Sequence, residues 1–362
     1  METLKGVGPN LKSFFYHVVK PESEGLLRGV VVLLHGSEEH GGRYEKFGES
    51  LVQNGYALYA VDHIGHGKTI LDNKKALGRW KKAGKKNDFY LSAYNAYYLV
   101  DIIRKNHPGK PVYLLGHDYG GVMAQYMLGE FPDAFDGVIV SGCGTPTAKD
   151  KWIFVKSLVK KVLLFDETKS KGTYRSRKSY LNMHFKPVRT KYDWLNSIPE
   201  EVDEFIKDPL SGFVGEIGYY YYLYRYIVTT PIFVKFKKIK RELPILFVSG
   251  EDDYVTHRGV MTNKLMKFYN KKGFVNTNII LYPGARHDVL MDCSREKVAE
   301  DIARWINKNS FKEEPVVFRK KEENEIKAIT LGGLNTQQKA KTVVFQEEEP
   351  EDELRLNNEL KK

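Results

Sequence analysis

The chain has 362 residues, of which 42% are hydrophobic and 28% charged, and its formal net charge is +11. Its 19 Phe, 23 Tyr and 4 Trp exclude a fully disordered chain, and its two cysteines, Cys143 and Cys293, are too few for a disulfide framework. The sequence shows neither the ~20-residue apolar run of a membrane helix nor the apolar core of a secretory signal, so we expect a soluble cytoplasmic protein.

Short apolar runs alternate with amphipathic stretches along much of the chain. The apolar runs predict strands at residues 29–34, 56–61, 111–115, 137–140, 244–248 and 278–282. The amphipathic stretches predict helices at residues 45–53, 87–106, 120–129, 258–270 and 296–306. This βαβ alternation is typical of an α/β fold whose parallel sheet is covered on both faces.

The alternation breaks in one long segment, which divides the chain into three parts. Residues 1–144 and 243–312 form the predicted α/β core, and residues 145–242 form a predicted helical cap. Residues 313–362 are a charged C-terminal extension that is too polar to bury a core of its own. We expect this extension to be disordered or bound to a partner.

Positive charge is concentrated in the predicted cap, which holds 20 basic and 11 acidic side chains over residues 145–242. Such a region attracts anionic membranes, nucleic acid or acidic proteins through its long-range field. No zinc-ligand spacing, RNA-binding aromatic motif or basic helix–turn–helix pattern accompanies the charge, so we predict no nucleic-acid partner.

The cap begins with a basic amphipathic segment at residues 151–165. Its apolar side chains at helical spacing are Trp152, Val155, Val159 and Val162. This pattern fits either a helix that lies on an anionic membrane surface or a cap helix whose apolar face covers the site.

The strand predicted at 111–115 runs into a glycine-rich turn that a helical pattern follows at once. Gly116 and Gly120 permit a very tight turn, which would hold Asp118 exposed at the sheet edge. The backbone N–H of Tyr119 then lies at a helix N-terminus, where negative charge is favoured. The N–H of Ser37, in the loop after the first core strand, would complete an oxyanion hole.

Two further candidate residues follow strand ends later in the chain. Asp253 is favoured over Asp252 by its spacing from the preceding glycine, and His287 lies in the loop before the last helix. Nucleophile, acid and histidine occur in this chain order in α/β-hydrolases, where the acid orients the histidine and the histidine acts as base. The sequence therefore predicts a catalytic group of Asp118, His287 and Asp253.

Two motifs carry a family resemblance: residues 35–44 (HGSEEHGGRY) and residues 62–68 (DHIGHGK). They resemble motifs of the monoacylglycerol lipase and serine-aminopeptidase-like group of α/β-hydrolases. The resemblance covers about residues 15–310 and is thin over the cap. It implies an eight-stranded, mostly parallel sheet, a helical cap over the site, and carboxylic-ester substrates such as lipid esters. It implies no metal or redox cofactor.

Residue 118 departs from the resemblance, because members of that group carry serine at this turn and this chain carries Asp118. Attack of a carboxylate on an ester would have to expel an alkoxide, a far poorer leaving group than the carboxylate itself. We therefore predict negligible serine-type esterase turnover. Attack at an sp³ carbon stays open, because it leaves an ordinary aspartyl ester that water activated by His287 could hydrolyse.

Two classes of function follow, and the sequence leaves open whether the protein is an enzyme. In the first, Asp118 and Asp253 keep His287 charged, and the protein is a non-catalytic binding or assembly subunit that contacts partners through its cap and C-terminal extension. In the second, Asp118 is the nucleophile of an epoxide-hydrolase-like enzyme with a lipid-like substrate. That reaction needs an acid, and the cap tyrosines at residues 219–226 are candidates.

Overall fold

An eight-stranded sheet organises the described part of the chain, which in the computed structural model comprises residues 1–8, 13–70, 76–83 and 86–310. Its strands are β1 (Glu2–Val7), β2 (Ser13–Val19), β3 (Gly29–Leu34), β4 (Tyr56–Val61), β5 (Val112–His117), β6 (Gly137–Ser141), β7 (Ile245–Gly250) and β8 (Thr277–Tyr282). They lie in the order β1-β2-β4-β3-β5-β6-β7-β8. The predicted extension, residues 313–362, lies outside the described residues.

Strand β2 is antiparallel to both of its neighbours, and every adjacent pair from β4 to β8 is parallel. Parallel strands need cover on both faces, and β3 shows why this sequence provides it. Val30 and Val32 enter the apolar core on one face, while Val31 and Leu33 enter the core on the other. The predicted eight-stranded, mostly parallel α/β-hydrolase sheet is thereby confirmed.

Helices cover both faces of the sheet and form the cap. They are α1 (Glu45–Gln53), α2 (Asp88–Asn106), α3 (Tyr119–Glu130), α4 (Ala148–Leu163), α5 (Lys171–Asn182), α6 (Pro199–Lys207), α7 (Ile217–Phe233), α8 (Val260–Lys271) and α9 (Arg295–Ser310). Helices α1 and α9 share one core, and α2, α3 and α8 contribute to the other. Helices α4 to α7 follow β6 and precede β7, and α7 packs against both α3 and α4.

The first cap helix differs from one of the two expectations for it. The stripe of Trp152, Val155, Val159 and Val162 is 57%, 55%, 49% and 76% exposed, so the expectation that this face covers the site is wrong. Ile153, which belongs to another face of α4, is buried and lines the pocket instead. No helix within the described ranges is both long and apolar enough to cross a membrane.

Candidate active site

The turn between β5 and α3 holds Asp118 at a positive φ, with φ 48° and ψ −114°. Such a φ is strained for a residue with a side chain, and strain of this kind persists where the surroundings fix it. A Cβ on Gly116 would lie 2.2 Å from the carbonyl oxygen of Gly120, and one on Gly120 would lie 2.0 Å from the carbonyl oxygen of Leu34. Glycine at both positions is therefore a steric requirement of this turn.

Three strand ends bring the predicted catalytic residues together. Asp118 follows β5, Asp253 follows β7 and His287 follows β8, all at the carboxyl edge of the sheet. His287 Nδ1 lies 3.1 Å from Asp253 Oδ1, and His287 Nε2 lies 3.8 Å from Asp118 Oδ1. Asp252, the less favoured candidate, instead faces Arg258 at 3.4 Å. The imidazole thus lies between two carboxylates.

The second oxygen of Asp118 lies close to donor groups of Ser37 and Arg177. Asp118 Oδ2 accepts the backbone N–H of Ser37 at 2.9 Å and the hydroxyl of Ser37 at 2.5 Å. Arg177, from α5, lies 3.6 Å from the same oxygen and donates to Ser37 Oγ at 2.9 Å. Tyr119 is the first residue of α3, so its N–H is one of the free amides at that helix N-terminus. A carboxylate oxygen therefore occupies the Ser37 half of the predicted oxyanion hole.

The charges of this group shift the pKa of both acid and base. Burial opposes the charged form of Asp118, yet Arg177, His287 and the Ser37 hydroxyl outweigh it and lower the Asp118 pKa to about 2. Burial also opposes the charged form of His287, but Asp253 and Asp118 raise the His287 pKa to about 9. At neutral pH the site therefore contains a carboxylate and an imidazolium.

A second buried carboxylate lies beside the first. Glu38 is fully buried in the loop after β3, and its backbone φ is 62°. Lys178 Nζ lies 2.8 Å from Glu38 Oε2, and the hydroxyl of Tyr220 donates to Glu38 Oε1 at 3.0 Å. Two consecutive cations of α5 therefore balance the two negative charges: Arg177 lies beside Asp118, and Lys178 beside Glu38.

A third ion-pair network lies beside the loop that carries His287. Arg43 pairs with Asp288 at 2.9 Å and also with Glu39. Asp288 Oδ1 lies 3.5 Å from His117 Nε2, and Glu39 accepts the backbone N–H of Gly36 at 2.5 Å. Although burial opposes its charge, Arg43 and His117 lower the pKa of Asp288. This network fixes Asp288, the residue that follows His287.

Three further histidines in the same region are uncharged. The ring centroids of His35 and His63 are 4.0 Å apart, and those of His35 and His66 are 5.1 Å apart. Burial lowers the pKa of all three, well below its ordinary value for His35, to about 3 for His63 and to about 4 for His66. These rings therefore add no positive charge, and the cations beside Asp118 and Glu38 are those of α5 and His287.

A pocket opens from Asp118 beneath the cap, with a volume of about 780 Å³ that includes its open side. Its lining combines charged and polar groups with apolar side chains of α3, the cap and the loop before α8. The apolar lining residues are Val122, Ile153, Leu181, Ile227, Val255 and Met261. Among the tyrosines of residues 219–226, Tyr224 lines this pocket, while Tyr219 and Tyr220 hydrogen-bond to Glu38.

Two groups among the described residues have the composition of a metal site. They are His17, His40 and Asp62, and His117, His287 and Asp288. In the first, Asp62 already accepts hydrogen bonds from Gly41 N–H and Lys68 N–H. In the second, Asp288 is paired with Arg43. A cation at the second group would displace this guanidinium, so its donors are committed within the protein.

The sequence analysis did not identify Arg177, Lys178 or Glu38 as part of the site. The two cations lie in the basic cap, where no motif distinguishes them from solvated lysines and arginines. One physical signal was available, because a carboxylate buried at a strand end requires a nearby cation. That requirement predicts a cation but does not select which one.

The sequence matches the family model described as serine aminopeptidase, S33, over residues 26–294. It is 31% identical to the monoglyceride lipase of Homo sapiens over 116 residues, which are 32% of this chain and 35% of that protein. The chain therefore aligns with about a third of the length of the human protein. It is 25% identical to the monoacylglycerol lipase of Mycolicibacterium smegmatis over 294 residues, which are 80% of this chain and 91% of that one.

Solved structures show the same fold. A thermostable carboxyl esterase from Bacillus coagulans, solved with glycerol, has a TM-score of 0.76 at 22% identity, covering 86% of this chain and 99% of that one. A soluble variant of monoglyceride lipase from Saccharomyces cerevisiae, solved with a substrate analogue, has a TM-score of 0.64 at 18% identity, covering 85% and 94%. At these identities the likeness concerns the fold alone.

Proposed function

The chain belongs to the serine aminopeptidase S33 family of α/β-hydrolases, and we propose that within this family it is a protein without serine-esterase activity. In this proposal it is a binding or assembly subunit whose pocket holds a ligand without turning it over. The observation that carries the proposal is the 2.9 Å hydrogen bond from Ser37 N–H to Asp118 Oδ2. An ester carbonyl would need that N–H in the transition state, and the carboxylate already occupies it.

The charge state of the site supports the same conclusion. His287, with its pKa raised to about 9, is protonated at neutral pH and cannot accept a proton from an attacking hydroxyl or water. Asp118 is itself paired with Arg177, which further weakens the carboxylate as a nucleophile. Attack of Asp118 on an ester would in addition have to expel an alkoxide, so the adduct would revert.

A second function, alkyl transfer to Asp118, is favoured by the direction of its two oxygens. Oδ2 faces Ser37 N–H and Oδ1 faces His287 Nε2. If Oδ1 opened an epoxide at carbon, the substrate C–O bond would break, and Tyr224 is a candidate to protonate the departing oxygen. The carbonyl oxygen of the new ester would already lie at Ser37. Loss of the Asp118 charge would lower the pKa of His287 and allow it to take a proton from the hydrolytic water.

Incubation in ¹⁸O-labelled water separates these functions. The protein is given panels of epoxides and esters, and the mass of the peptide that contains Asp118 is measured. Our main proposal predicts neither product nor label. Label in Asp118 together with a diol would establish alkyl transfer, because the second step places a water oxygen in the carboxylate. Rapid ester cleavage without label would overturn both proposals.

The variant Asp118→Ser tests the same reasoning in the opposite direction. It frees Ser37 N–H and supplies a hydroxyl at the turn where Asp118 Oδ1 now lies 3.8 Å from His287 Nε2. We expect hydrolysis of a short-chain p-nitrophenyl ester to rise at least about tenfold above that of the parent. The double variant Asp118→Ser with His287→Gln is the matched control and should lose this gain.

The cap is the surface through which we propose contact with a partner. Helix α4 exposes an apolar stripe beside its lysines, and the residues after it, Leu164 and Phe165, are 53% and 87% exposed. Co-sedimentation with anionic vesicles at two salt concentrations distinguishes a membrane partner from a protein partner. Salt-sensitive binding to vesicles favours the membrane, whereas a stable complex in native mass measurements without vesicle binding favours an assembly role.

A further inference from the structure

One cation of the pocket has no acidic partner. Lys149, in the first turn of α4, lines the pocket, and its Nζ lies 2.9 Å from the centre of the Tyr180 ring. Among the described residues, no Asp or Glu oxygen lies within 4.0 Å of this ammonium, so Lys149 forms no ion pair with them. Contact with the ring holds Lys149 at the pocket wall.

The two carboxylates that line the pocket, Asp118 and Asp150, already have partners. Asp118 is paired with Arg177. Asp150, next to Lys149, accepts the backbone N–H of Thr147 at 2.8 Å and its hydroxyl at 2.7 Å, so it caps the helix. An incoming anion would therefore meet one ammonium without an acidic partner, at the N-terminal end of α4, where the helix dipole also favours negative charge.

The rest of the wall is suited to a hydrocarbon chain. Ile153 of the same helix, Leu181 of α5 and Ile227 of α7 line the pocket together with Lys149. Val122 of α3 and Met261 of α8 belong to the same lining. A pocket that combines an apolar wall with a charged group binds molecules that have the same division.

We propose that this pocket binds a single-chain amphiphile with an anionic headgroup, of which a medium- or long-chain carboxylate is the simplest. The headgroup pairs with Lys149 and the chain lies against the apolar wall. The inference rests on the proposed function, since a ligand of this kind is retained and not consumed. It adds the chemical class of the ligand and the residue that selects its charge.

The titration of Lys149 is consistent with this assignment. Burial lowers the pKa of Lys149 to about 8, although the neighbouring Asp150 acts in the opposite direction. A bound carboxylate would favour the charged form and return the pKa toward its ordinary value. Arg177 cannot replace Lys149 in this role, because it is bound to Asp118 and Ser37.

Calorimetric titration of the full chain with decanoate, decyl phosphate and decanol tests the inference. We expect decanoate to bind at least about tenfold more tightly than decanol, since a charge-assisted hydrogen bond distinguishes them. Lys149→Met keeps the apolar stem and should weaken decanoate binding about tenfold, with decanol within about twofold. Lys149→Arg should retain decanoate binding. Lys151→Met, on the exposed side of the same turn, is the matched control and should change neither ligand.

Each outcome decides the inference. Equal affinity for decanoate and decanol, or unchanged decanoate affinity in Lys149→Met, would overturn it. If Lys149→Met bound neither ligand, the test would rest on the parent protein and on Lys149→Arg. Both should bind decanoate more tightly than decanol, and equal binding of the two ligands would overturn the inference. Tighter binding of decyl phosphate than of decanoate would support the class and assign a phosphate headgroup. Decanoate has no bond that this site could hydrolyse, so ester turnover would refute the proposed function and leave this measurement valid.

Discussion

Replacement of Asp118 by asparagine should lower the pKa of His287 markedly. The change is nearly isosteric, and the amide oxygen can still accept the hydrogen bonds that Ser37 donates to Oδ2. It removes one of the two carboxylates that flank the imidazole and leaves Asp253 in place. Any shift in the titration of His287 therefore reports the charge at residue 118.

The distance between the groups gives the size of the effect. Two unit charges 3.8 Å apart, at an effective dielectric constant of about 20, interact by about 4 kcal/mol, which corresponds to about 3 pKa units. Arg177 lies 3.6 Å from the same carboxylate and partly neutralises it, so the net effect is smaller. We expect the His287 pKa to fall from about 9 by about 1–2 units.

Two-dimensional ¹H–¹⁵N NMR of the histidine side chains measures this titration directly. Asp252→Asn is the matched control, because Asp252 is in the same loop as Asp253 but faces Arg258. It should leave the midpoint of His287 unchanged. A midpoint near 9 in Asp118→Asn would refute the electrostatic reasoning, as would a parent midpoint at the ordinary value for histidine.

Three further predictions concern stability. Folding raises the pKa of His287 from 6.5 to about 9, so His287 contributes about 3 kcal/mol to the free energy of unfolding. This contribution is fully present below pH 6.5 and is lost as the pH rises through about 9. Urea unfolding at several pH values should show the loss, and an equally steep loss in His287→Gln would contradict the prediction. Arg177→Met should lower the free energy of unfolding by about 1–3 kcal/mol, because Asp118 would lose its guanidinium and keep only His287 and the Ser37 hydrogen bonds. Asp118→Asn added to it should recover part of that loss, and simple additivity in this double-mutant cycle would exclude the coupling. Gly120→Ala would place a Cβ 2.0 Å from a carbonyl oxygen and should greatly lower the melting temperature. Gly25→Ala is the control, because the nearest atom to its Cβ would be 3.6 Å away, and it should have little effect. Equal changes in melting temperature would refute the steric argument.

The core strands could be predicted because burial on both faces produces continuous apolar runs. Strands β3 and β4 are found where the sequence predicts them, and every residue in each is buried. Strand β1 gave no such signal, because it lies at the sheet edge and only Gly6 is buried. Strand β2 does carry a period-two pattern of Phe14, Tyr16 and Val18, from which it could have been predicted. The resemblance to the S33 and monoglyceride lipase group is confirmed by the family match.

The candidate site was predictable where strand ends define it. Asp118, Asp253 and His287 each follow a core strand, so the topology alone predicts their proximity, while their catalytic roles stay predictions. Arg177 was not predictable, because its position depends on how α5 folds over the core. The exposed face of α4 was ambiguous for a similar reason, since helical spacing shows which side chains share a face but not what that face contacts.

The two neighbouring cations of α5 also bear on how a ligand would enter. Arg177 and Lys178 bind carboxylates of two different core segments, Asp118 in the turn after β5 and Glu38 in the loop after β3. An outward movement of α5 would separate both ion pairs at once, which is unfavourable because Glu38 is fully buried and Asp118 would keep only His287 as a nearby cation. Access should therefore run through an opening that does not require α5 to move, and this part of the cap should stay in place while a ligand enters.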